Sequence, residues 1–133
     1  MNPLRSAAAI VAGLGFMLAG SMIGASVMGA ILGASGAYVA ASFVTSASVA
    51  ILGGWLTARI AGRSPMGHAI ALAAVFGVLT VIAVTSVHVP GQPAWYGPTV
   101  GAIGVAGILV GGWLRSAAAA ASVTTGSGRS TSG

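Results

Sequence analysis

Two histidines, His68 and His88, and five arginines, Arg5, Arg59, Arg63, Arg115 and Arg129, carry nearly all the ionisable chemistry of this 133-residue chain, which has no Asp, Glu, Lys or Cys. Several functions drop out at once. Carboxylate acid–base pairs and carboxylate metal sites need side chains that are absent, and so does a Ser-His-Asp triad. Without cysteine there are no disulfides or thiolate metal ligands. A proton-coupled transporter usually carries a carboxylate inside the membrane, and none exists here. The histidines stand twenty positions apart, about 30 Å along a helix, so one protomer cannot bring both to one metal or haem. Each reads as an interfacial polar residue. Each is also a weak candidate for ligation through an oligomer or a second protein. No cofactor and no resident metal are expected.

The arginines give a formal charge of +5. They are scattered at the ends of apolar runs instead of forming a basic patch, so they point to anionic lipid headgroups and not to nucleic acid. Only 4% of residues are charged and 56% are hydrophobic, with a mean hydropathy of +1.02. Soluble domains are about a quarter charged. A water-exposed surface is therefore excluded for most of this chain, and its apolar runs read as transmembrane helices.

Residues 6 to 58 hold no charge. As a single helix they would be roughly 80 Å long at about 1.5 Å per residue, against a hydrocarbon core of about 30 Å. They must form two spans, and Gly33-Ala34-Ser35-Gly36 is the best turn between them. The expected helices cover about 6–31, 38–59, 65–88 and 97–115. Ser64-Pro65 and Gly97-Pro98 suit the starts of the third and fourth, and Asn2-Pro3 the start of the first. Arg5 ahead of an apolar stretch resembles a signal peptide, but the stretch is too long for an ordinary h-region. An alanine run from 117 can prolong the fourth helix before Ser, Thr and Gly take over. Residues 116–133 are expected to be a flexible cytoplasmic tail.

An arginine at a helix centre costs about 2.5–3.5 kcal/mol, so each belongs at an edge. With four spans, Arg5, the Arg59–Arg63 loop and Arg115 with Arg129 share one side, and both termini are cytoplasmic. Trp55 and Trp113 sit at that interface, and Trp95 and Tyr96 belong to the opposite aromatic belt. The uncharged loop from His88 to Pro98, rich in proline and aromatic residues, is also a possible docking or small-ligand site.

The phrase ILGGWL at 51–56 returns as ILVGGWL at 108–114. Offsetting the chain by 58 residues aligns Gly53, Gly54, Trp55 and Leu56 with Gly111, Gly112, Trp113 and Leu114, and also Tyr38 with Tyr96 and Arg5 with Arg63. One reading is duplication, giving two parallel-repeat helical hairpins, 1–61 and 62–115. The other is convergence, since any helix leaving a membrane favours Trp at the interface and Arg beyond it. The expected fold is thus all-α, with four transmembrane helices.

Small residues mark helix contacts where lipid supplies no hydrophobic drive. The first span carries Gly13, Met17, Gly20 and Gly24 on one face. The fourth carries Gly97, Gly101, Gly104, Ile108 and Gly111 as one stripe, overlapped by Gly107. These faces serve either packing within the bundle or docking of a homo-oligomer or partner.

The segments GGWLTARIAGRSPMGH (53–68), PAWY (93–96) and GGWLR (111–115) resemble a pattern in small bacterial four-helix inner-membrane proteins. The resemblance covers the second half of the chain. It implies a bacterial inner membrane and brings no activity or site residues. The glutamate of small multidrug exporters and the asparagine-containing pore of fluoride channels are both missing. The expected function is a structural or accessory membrane protein, packing against itself or a larger complex in the bilayer. An oligomeric channel or transporter, lined by groups such as Thr45, Ser46 and Ser48, is the alternative. A holin-like pore comes third, and an enzyme is not expected.

The topology makes a direct prediction. Reporters fused after Gly62 and at the C-terminus should read one side of the membrane, and a reporter at Gln92 the other. A Gln92 fusion reading the same side as the other two would exclude four spans.

Overall fold

A computed structural model describes residues 3–33, 35–62, 64–86 and 92–127. They form four helices and, among the described residues, no strand: α1 (Pro3–Leu32), α2 (Gly36–Ala61), α3 (Pro65–Ser86) and α4 (Tyr96–Ser127). All four are long and apolar enough to cross a membrane. The protein is an all-α, multi-pass membrane protein.

The first turn falls where glycine allows it. Gly33 takes φ 57° and its N–H bonds back to the Gly29 carbonyl at 3.1 Å, so the left-handed residue closes α1. Gly62 closes α2 with φ 72°. Ser64, at the expected start of α3, takes φ 51°. This is not the extended geometry of an N-cap residue. Its carbonyl serves the helix by accepting the His68 N–H at 3.3 Å. Pro98 lies in the first turn of α4, where its missing N–H costs nothing.

α4 runs twelve residues beyond its expected end, so 116–127, expected as a flexible tail, is helical. Alanine is the strongest helix former, and the run 117–121 meets no glycine before Gly126. At about 1.5 Å per residue the helix is roughly 48 Å long, and its last turns extend past the hydrocarbon core.

α2 and α3 each touch the other three helices, whereas α1 and α4 make no close backbone approach among the described residues. The α2–α4 contact is the closest in the protein. A Cβ on Gly54 would lie 2.8 Å from the Ile108 Cα, and one on Gly111 would lie 2.7 Å from the Trp55 backbone nitrogen. Backbone thus lies on backbone. The pairing of early with early and late with late residues, from Ser42–Tyr96 to Gly54–Ile108, makes α2 and α4 parallel.

The α4 stripe expected to present a single face divides between two neighbours. Gly97, Gly101 and Gly104 receive Val84, Thr80 and Phe76 of α3, while Gly107 and Gly111 receive Ala50 and the Ile51–Trp55 backbone of α2. On α1, Gly13 meets Thr57, Gly20 meets Val49 and Gly24 meets Thr45, all on α2. Each glycine expected to mark packing is used inside the bundle.

The core is confined to the arginine-bearing half. Met17, Ala50, Ala69, Leu72, Ala73 and Ile108 form it, with Phe76 and Val105 at its margin. Towards the Gln92 end the helices present cavities instead.

Gly54→Ala or Gly111→Ala must push α2 from α4, because the new methyl meets backbone that cannot rotate away. The expected cost is about 1–3 kcal/mol, seen as a lower melting temperature in mild detergent. Gly15→Ala meets nothing within 4 Å and should melt at or above wild type. Equal melting of Gly54→Ala and Gly15→Ala would refute this account.

Candidate functional site

At the arginine-bearing end, the parallel course of α2 and α4 brings Arg59 and Arg115 to the same level of the bundle. Arg59 lies one turn after Trp55, and its guanidinium carbon stands 5.1 Å from the Trp55 ring centroid, a cation–π contact. Arg59 also falls in the last turn of α2, where a cation faces unsatisfied carbonyls. Trp55 is half-buried, and Trp113 is 61% exposed, presenting its ring outward. The expected anchors Trp55, Arg59, Trp113 and Arg115 therefore share one end. Arg63, Arg129 and His88 lie outside the described residues, as does the Arg5 side chain.

His68 is not the solitary interfacial group its position suggests. It is 8% exposed and links two helices. Its Nδ1 is 3.1 Å from the Ser64 carbonyl oxygen and its Nε2 is 3.1 Å from Ser6 Oγ on α1. A carbonyl can only accept, so Nδ1 carries a proton. In the neutral ring Nε2 then accepts from the Ser6 hydroxyl. This pins the start of α1 to the start of α3. Among the described residues no group of three or more metal-binding side chains gathers around it.

One layer further in, Thr57 is fully buried and its Oγ1 makes no hydrogen bond. A Cβ on Gly13 would collide with that oxygen, so the Gly13 Cα–H faces it in the manner of a weak C–H···O contact. The sequence reading singled out neither Ser6 nor Thr57. Hydroxyl residues are common in membrane helices, and nothing in their spacing separates a bridging serine from an idle one.

At the opposite end, Tyr96 stacks on Phe43 with centroids 5.7 Å apart, and Trp95 packs against both. The Tyr96 hydroxyl donates to Ser42 Oγ at 2.8 Å, and Ser42 in turn donates to the Val39 carbonyl at 2.8 Å. Trp95 remains 55% exposed, while half-buried Tyr96 ties α4 to α2 in addition to any contact with the interface. Thr45 and Ser46 lie below it on α2, lining the same cavity. Ser48 is exposed on another face, with its hydroxyl bonded to the Val44 carbonyl.

Comparison with protein-family models, curated proteins and solved structures finds no match to this chain. The site geometry stands alone as a guide to function.

His68→Ala removes both bonds and leaves Ser6 without its partner, at an expected cost of about 1–3 kcal/mol. His68→Asn, which can still reach one partner, should recover part of the loss. Thermal melts in detergent measure both, and an unchanged His68→Ala melt would mean that the bridge contributes nothing to holding α1 on α3.

Proposed function

We propose that this protein is a small structural or accessory component of a membrane assembly, binding a partner helix or a second copy of itself through the outer face of α1. The observation that carries this reading is the selective use of glycine on α1. Gly13, Gly20 and Gly24 are filled by α2 side chains, whereas Gly15 and Gly29 meet nothing within 4 Å. These two lie seven residues to either side of Met22, which is 72% exposed, so all three fall on one helix face. Small residues at that spacing let a second backbone approach closely in lipid.

The charge balance supports the same reading. With no acid in the chain, the arginines find counter-charges only in anionic headgroups or on a partner. The placement of Arg59 and Arg115 at one end, with the other arginines at the ends of apolar runs in the sequence, favours a bacterial inner membrane with both termini cytoplasmic. An origin by duplication rests on the recurrence of the GGWL phrase alone, because the aligned glycines pack differently: Gly53 faces α1 and Gly111 the α2–α4 seam, whereas Gly54 faces the seam and Gly112 faces α3. No catalytic step belongs to this reading.

An oligomeric channel is the second reading, favoured by the hydroxyl-bearing cavity near Tyr96. Its path would have to run between protomers, because Val49 over Gly20 and Met17 over Gly53 close the interior of one.

Purification from the native membrane in mild detergent tests the proposal. Wild type should migrate with a stoichiometric partner or as a defined homo-oligomer. Gly15→Ile with Gly29→Ile should abolish that association without lowering the melting temperature, since both positions are open. A wild-type protein that is monomeric and partner-free would overturn the docking role. A homo-oligomer that conducts in liposomes would transfer support to the channel.

A further inference from the structure

Among the described residues α1 and α4 make no close backbone approach, and between them lies a cavity of about 170 Å³ at the Gln92 end, with α2 as its back wall. Ser21 of α1, Tyr38, Ser42, Thr45 and Ser46 of α2, and Tyr96 of α4 all contribute to its lining. Of these six hydroxyl residues, only Ser42 and Tyr96 are hydrogen-bonded through their side chains among the described residues. Thr45 lies nine residues into α2, about 14 Å along the axis, within the depth of the hydrocarbon core. Three unpaired hydroxyls near that depth, on Ser21, Thr45 and Ser46, would each cost free energy in contact with acyl chains. Water or a polar solute removes the cost, and the cavity has room for several water molecules.

The chamber's lining reaches no deeper than Ser21, Ser46 and Val100. Along its back wall the Thr45 methyl meets Gly24, and below it Val49 closes the α1–α2 junction over Gly20. Its lining has no arginine, histidine or acid. A charged solute entering would lose hydration and gain no counter-charge, whereas a neutral one could exchange hydrogen bonds with the hydroxyls.

We infer that this chamber is a water-filled, dead-ended site, entered from the Gln92 end, that takes small uncharged polar solutes and excludes ions. It is independent of the docking face on the outer side of α1.

The absence of native cysteine makes the test clean. Single variants Ser46→Cys and Ser48→Cys of the full chain in liposomes are treated with neutral iodoacetamide and anionic iodoacetate, each rate normalised to a free thiol in solution. A cysteine in hydrocarbon stays protonated and unreactive. Ser46→Cys should react with iodoacetamide at least about ten-fold faster than Ser48→Cys, and should favour iodoacetamide over iodoacetate by a similar factor. Ser21→Cys, on the opposite wall, should repeat the pattern and serves if Ser46→Cys does not fold. If Ser46→Cys is as slow as Ser48→Cys, the chamber is dry and the inference fails. If iodoacetate keeps pace with iodoacetamide, exclusion of ions fails.

Discussion

Two glycines set against two backbones hold this bundle together. Gly54 lies on Ile108 and Gly111 lies on Ile51 and Trp55, so α2 and α4 approach until main chain meets main chain. In lipid there is no hydrophobic gain from bringing two apolar helices together, so the attraction comes from dense van der Waals contact and weak polar contacts. Only hydrogen at these positions permits that density. Once α2 and α4 are joined in parallel, their preceding helices can only pack on the outside, α1 on α2 and α3 on both.

The same seam divides the protein into unlike halves. Near the arginines, small residues and the His68–Ser6 bridge draw the helices into a dry core. Towards the Gln92 end, a cavity lies between α1 and α4, and the larger groups Tyr96, Phe43 and Trp95 span the α2–α4 junction. Tyr96 reaches Ser42 across the α2–α4 junction, where glycine contacts have given way to side-chain contacts. A tight end and an open end are the mechanical consequence of where the glycine contacts between α2 and α4 stop.

His68 shows how a polar group earns a place in such a core. Buried alone it would be costly, but with both ring nitrogens bonded it joins two helices that otherwise share few contacts. Thr57 is the counter-example, a buried hydroxyl without a hydrogen-bond partner, set against Gly13. The difference arises from geometry between helices and not from either residue's type.

Hydropathy alone determined the four crossings, because the transfer of each apolar run into lipid is a local sum that needs no knowledge of neighbours. Glycine and serine located the turn at 33–36 for an equally local reason, the backbone freedom of Gly33. The start of α4 was legible to within a residue from Gly97-Pro98, whereas its extension to Ser127 required weighing the alanine run against the glycines that follow. What the tertiary structure decided is which way each helix faces. In a soluble bundle the apolar stripe reveals the rotation of a helix about its axis. Here the lipid-facing side is as apolar as the core, so that signal vanishes. The division of the α4 glycines between α3 and α2, the pairing of His68 with Ser6, the open positions Gly15 and Gly29, and the gap between α1 and α4 all depend on that rotation. Only packing the four helices against one another sets it.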